Sequence, residues 1–147
     1  MRAYAGRTAR IAADAQGRGT LVRTSGIVPM KPSLLWLIHP WIVPVPGDAI
    51  GVGATWHVTQ PLTMAAAQGE LERTYQVTAT QGDTLTLKVT GVTHWHAAGT
   101  AAGAGSDEAI EGTLVVGRGD VLARSGQVTS IQDLGPAKAR VQLALTL

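Results

Sequence analysis

From Ala54 to Leu147 apolar and polar residues alternate with period two, and this pattern constrains the fold more than any other feature of the chain. "GATWHVTQPLTMA" sets Trp56, Val58, Leu62, Met64 and Ala66 on one face and Thr55, His57, Thr59 and Thr63 on the other. "ELERTYQVTAT" sets Leu71, Tyr75, Val77 and Ala79 against Glu70, Glu72, Thr74, Gln76 and Thr78. "TLTLKVTGVTHW" sets Leu85, Leu87, Val89 and Trp95 against Thr84, Thr86, Lys88, Thr90 and His94. Such alternation marks strands with one buried face, and Thr, Val and Tyr suit a pleated surface. "EAIEGTLVV" reads as a fourth strand and "VLARSGQVTSIQ" as a fifth with poor alternation. "AKARVQLALTL" is the sixth, with Val141, Leu143, Leu145 and Leu147 on one face. The turns "AAQGE", "TQGDT", "GRGD" and "LGP" and a longer loop, "AAGTAAGAGSD", separate them, as hairpin connections require. The expected fold is mainly β, a curved antiparallel meander forming a half-barrel, with a short helical or extended apolar lid.

The lid is "SLLWLIHPWIVPVP", Ser33–Pro46, which holds two of the four tryptophans and no charge. Ser33 suits a helix N-cap, and Pro40 ends any helix begun there because the residue before proline avoids the α region. One or two turns over Ser33–His39 are therefore expected, and Pro40, Pro44 and Pro46 then hold the chain extended. A segment apolar all round must be covered on most sides. Leu35, Trp36, Ile38 and Trp41 are expected to pack over Trp56, Val58, Leu62, Met64, Tyr75, Val77, Leu87 and Val89, either as a movable lid that admits a ligand or as permanent core.

A chain of 147 residues fits one domain with a real core. It divides into an N-terminal hairpin (1–28), the apolar lid segment (29–53) and the meander (54–147). "AYAGRTARIAADA" also fits a short helix, since Ala and Arg favour one. The turn "DAQGRG" followed by "TLVRTSGIV" favours the hairpin. Residues 1–31 carry six basic groups against Asp14, whereas 32–147 carry six basic against nine acidic. Basic clusters alone are weak pointers. With only Tyr4 among them there is no platform on which bases would stack, so no nucleic-acid partner is expected.

At "PVPGDAIGVGATWHV" the chain resembles a group of bacterial envelope proteins, many of them lipoproteins. They share a "P-x-x-P-V-G-V-G-A-x-W-x-V" stretch, then alternating strands and a late "G-x-V-x-S" strand. The matching residues are Pro46, Gly51, Val52, Gly53, Ala54, Trp56 and Val58, then Gly126, Val128 and Ser130. The resemblance spans about residues 30–147 and implies a fold of the lipoprotein-carrier type, an antiparallel half-barrel with a helical lid. Members of the group are longer, which implies that this chain corresponds to their later part. The resemblance carries over no activity and no catalytic residue.

Little in the chain points to chemistry. With no cysteine there is no disulfide framework and no thiol nucleophile. None of the serines lies in G-x-S-x-G, and "GVGATW" lacks the lysine and following helix of a phosphate loop. Glu70 and Glu72 share one outward face, so the contrast of environments that a catalytic acid and base need is missing. His94 and His96 project from one strand face, and Glu111 is expected on that face near them. Two histidines and a carboxylate form a zinc-ligand set, but exposed strand histidines are the plainer reading, and neither metal nor cofactor is expected. "GRGD" contains the adhesion tripeptide, yet Gly and Asp are also what a strand turn uses. "MRAYAGRTAR" lacks the apolar core of a secretory signal, and the Ser33–Pro46 segment is too short and broken to span a bilayer. The compartment stays open, with an envelope or secreted setting suggested by the resemblance alone. The expected function is non-catalytic binding of an apolar or lipid-like molecule in the half-barrel. The alternative is an assembly module that forms homo-oligomers through sheet edges or the apolar segment.

Overall fold

The computed structural model of the chain describes residues 8–13, 19–25, 39–47, 50–64, 67–97, 105–133 and 138–146. Strands β1 (Thr8–Ala13) and β2 (Gly19–Ser25) pair antiparallel as a two-stranded sheet of their own. Six further strands follow: β3 (Thr55–Met64), β4 (Ala67–Gln81), β5 (Thr84–Ala97), β6 (Gly105–Gly117), β7 (Ser125–Asp133) and β8 (Lys138–Thr146). They form one antiparallel sheet in the order β3-β4-β5-β6-β7-β8. The meander is therefore mainly β and open: β3 and β8 are its two edges and do not close on each other. The only helical element among the described residues is one 3-10 turn, His39–Trp41.

The register puts the apolar sets of successive strands side by side. Trp56 faces Tyr75, Tyr75 faces Val89, Val89 faces Gly112, Gly112 faces Val128 and Val128 faces Leu143. One step along, Val77, Leu87 and Leu114 form the next row. Tyr75, Val77, Leu87, Val89, Leu114 and Val128 are each 1% exposed or less. At roughly 1.5–3 kcal/mol for each large apolar side chain fully buried, this face holds the sheet against what covers it. The opposite face is rich in threonine, with Thr55, Thr59, Thr90 and Thr113 exposed.

Part of the cover is the stretch after the 3-10 turn. Val43 donates its N–H to the Val121 carbonyl at 2.9 Å, and Ala123 donates to the Trp41 carbonyl at 2.8 Å. Trp41, Ile42 and Val43 are thus sewn antiparallel to the link between β6 and β7, and all three are buried. This explains the poor alternation of "VLARSGQVTSIQ". Its first three residues pair with the apolar segment, Arg124 donates to the Val115 carbonyl of β6, and β7 begins only at Ser125.

Two other boundaries differ from the sequence reading. "AAQGE" is not itself the turn, because β4 begins at Ala67 and runs through Gly69. A Cβ at Gly69 would sit 3.0 Å from Cε3 of Trp95 and 2.7 Å from the His94 carbonyl, so this glycine makes room for an indole rather than for a bend. Likewise "GSD" belongs to β6 and not to the preceding loop. Of the helical turns expected over Ser33–His39, Ser33–Ile38 lies outside the described residues, and His39 opens a 3-10 turn that runs through Pro40 to Trp41 rather than ending before the proline.

Candidate functional site

Of the residues nominated from the sequence, Trp41, Tyr75, Val77, Leu87 and Val89 come together in one buried cluster. Trp56 and Val58 pack against its β3 side and remain only partly buried. The Trp56 and Tyr75 rings stack with centroids 5.3 Å apart. Leu62 lies further along β3 and is half-buried. Met64 ends β3, and its side chain is outside the described set. Leu35, Trp36 and Ile38 are outside it as well.

Beyond Val58 the covered face turns polar. Gln60, Arg73, Thr93 and Ser130 are all 8% exposed or less. Gln60 shares parity with Trp56 and Val58, and Arg73 with Leu71 and Tyr75, so both point inward for the same reason their apolar neighbours do. Arg73 has room because Gly91 lies opposite it on β5. A Cβ at Gly91 would come within 2.9 Å of Arg73 Cγ and 2.3 Å of the Glu72 carbonyl oxygen.

Gln60 and Arg73 converge on His39, the first residue of the 3-10 turn. The Gln60 amide Nε2 lies 3.0 Å from His39 Nε2, and Arg73 Nη1 donates to the His39 carbonyl at 2.9 Å. The amide hydrogen occupies the Nε2 lone pair, so a neutral ring carries its proton on Nδ1. Burial, seconded by the positive charge of Arg73, lowers the His39 pKa from 6.5 to about 4. His39 is neutral at pH 7. Three buried nitrogens have no hydrogen-bond partner: His39 Nδ1 and Arg73 Nε, on residues joined by the bond just described, and Trp56 Nε1, further along β3. A buried donor left unpaired costs about 1–3 kcal/mol, and no ion pair forms to Arg73 among the described residues.

A second polar knot lies two strands away. Glu108 accepts from Trp95 Nε1 at 3.0 Å and from the Ser130 hydroxyl. These partners satisfy its carboxylate, whereas His39 Nδ1 and Arg73 Nε have none.

The histidine pair of β5 is arranged differently from expectation. His94 sits opposite Asp107 and hydrogen-bonds it through Nδ1 at 2.9 Å. That bond, foremost among the causes, raises the His94 pKa above its usual value. Glu111 shares the face but lies opposite Thr90, four residues along β6 from Asp107. Its place beside His94 is thus taken by Asp107. His57 is separate, bonded to the Thr74 hydroxyl at 2.8 Å. No cluster of three or more metal-ligating side chains occurs among the described residues. In "GRGD", Asp120 accepts from Arg124 Nε at 2.9 Å, which ties it to its own turn. No helix among them is long and apolar enough to cross a membrane.

Sequence reasoning nominated neither Gln60 nor Arg73. The available signal was their parity: each is a polar residue at an inward position between apolar ones. No known protein family matches the chain, and no curated protein or solved structure shows significant similarity to it.

Proposed function

We propose that the chain is a non-catalytic binding protein for an apolar, lipid-like molecule that ends in a hydrogen-bond-accepting head. The observation that carries this reading is the pair of buried, unpartnered nitrogens on the hydrogen-bonded residues His39 and Arg73, on a sheet side where Trp56, Val58 and Leu62 are half-buried. A carboxylate or phosphate head accepts from such donors, and bonds to a buried charged donor are the stronger kind. The half-buried Trp56, Val58 and Leu62 offer the apolar contact that an acyl chain needs. The middle of the covered face is already filled by Trp41 and Val43, which favours the β3 side as the place of binding. The envelope setting draws its support from the resemblance at Pro46–Val58.

The test is native mass spectrometry of the gently purified full chain, followed by titration with oleate while tryptophan emission is recorded. A retained small molecule, or a blue shift on adding oleate that weakens in Arg73→Gln, is the expected result. A chain that retains nothing and whose emission does not respond to oleate overturns the proposal.

A further inference from the structure

We infer that the outer edge of β8 pairs with β8 of a second copy, joining two sheets through a two-fold axis at Gln142. The two edges of the sheet are not equivalent. β3 carries Pro61, which has no N–H to donate, whereas β8 carries no proline, and its last six residues, Val141–Thr146, bear no charge. Among the described residues the only ladder partner of β8 is β7. Val141, on the covered face, is 37% exposed. Long edges of this kind are usually guarded, because their unpaired backbone groups template further pairing.

The residue order of β8 selects the occupant. When β8 is laid antiparallel on itself about Gln142, all nine of its residues find a partner. Lys138 then faces Thr146 of the other copy, and Arg140 faces Ala144. Val141 faces Leu143 on the apolar side, twice over by symmetry. No like charges meet. Centring on Arg140 instead sets two guanidiniums directly opposite, which destabilises a ladder. Centring on Ala144 leaves only five residues paired. The isologous dimer about Gln142 is thus the longest arrangement without a charge conflict, and closed two-fold pairing is the commonest form of self-assembly.

Sedimentation of the full chain over a concentration series should give a species of twice the 15.2 kDa chain mass. Gln142→Lys puts two ammonium groups across the axis while altering only an exposed position of the single copy. It should weaken the dimer by up to about fivefold. Mixing Gln142→Lys with Gln142→Glu should restore dimers that contain one of each. Val141→Lys, which sets a charge against Leu143 of the other copy, should also weaken it. Circular dichroism of each variant establishes that the sheet is intact. A chain that stays monomeric throughout the series overturns the inference. So does a dimer unaffected by either lysine variant, or a ladder of ever larger masses, which would mean that β8 pairs with a different edge.

Discussion

Replacing Trp41 with alanine tests whether the apolar segment is core. The indole is 6% exposed and belongs to the cluster that contains Tyr75, Val77 and Leu87. Its backbone carbonyl, which accepts from Ala123, is untouched by the substitution. The loss is therefore one of packing: truncating a core aromatic to alanine costs about 3–5 kcal/mol. Domains of this kind are stable by about 5–15 kcal/mol in total, so a large share of the margin goes. In a chain of this length each kcal/mol moves the midpoint by roughly 2–4 °C, which puts the expected fall in Tm at roughly 6–20 °C. Urea unfolding followed by far-UV circular dichroism measures the same loss, with an unchanged m-value if the variant remains two-state. A loss below about 1 kcal/mol, the range of surface changes, would refute the reasoning. It would mean that Trp41 leaves the sheet at little cost, as a movable lid does.

Gly91→Ala should destabilise the sheet by about 1–3 kcal/mol, the usual cost of overpacking, because its new Cβ meets the Glu72 carbonyl oxygen at 2.3 Å; a neutral midpoint in urea would show that β4 and β5 part easily there. For His39 the folded pKa of about 4 lies below the ordinary 6.5, so between these values the unfolded chain binds more protons. Stability is then full above pH 6.5, falls as pH drops toward 4 and loses about 3 kcal/mol across that window. Urea midpoints measured over this range should fall in the native chain and fall less in His39→Gln; equal slopes would contradict the assignment.

The meander was legible because most of its strands alternate and the face of a residue is a purely local property. Trp56 and Val58, or Leu85, Leu87 and Val89, announce an inward face from spacing alone. The boundaries that slipped did so where one residue type serves two purposes. Gly69 reads as a turn residue, yet it is absent of a side chain because Trp95 lies over it. Val121 and Leu122 read as the start of a strand, yet their partners are Val43 and Ile42 rather than a neighbouring strand of the sheet. In both cases the cause is a contact between residues far apart in sequence, which no local window contains.

The polar region of the covered face was hidden for a different reason. Along any one strand it appears as a single exception, Gln60 in β3, Arg73 in β4, Thr93 in β5 and Glu108 in β6, and each exception alone is unremarkable in a half-buried strand. Only the register reveals that Leu71 separates Gln60 from Thr93 and that Thr93 abuts Glu108. The row from Trp56 to Val128 is apolar, whereas the row from Gln60 to Glu108 holds Gln60, Thr93 and Glu108 around Leu71. At about 3.3 Å per residue, four positions along β3 separate them by about 13 Å. Within that distance the same face passes from a packed core to polar groups of which Glu108 is satisfied and Arg73 Nε is not. A sheet built for stability alone gains nothing from burying a guanidinium there, since a paired or apolar residue at position 73 avoids the desolvation cost. The buried charge next to partly open apolar surface is what sets the β3 side apart from the rest of the sheet. For that reason the proposed ligand is placed on it, while the plain edge at β8 is assigned to a second copy.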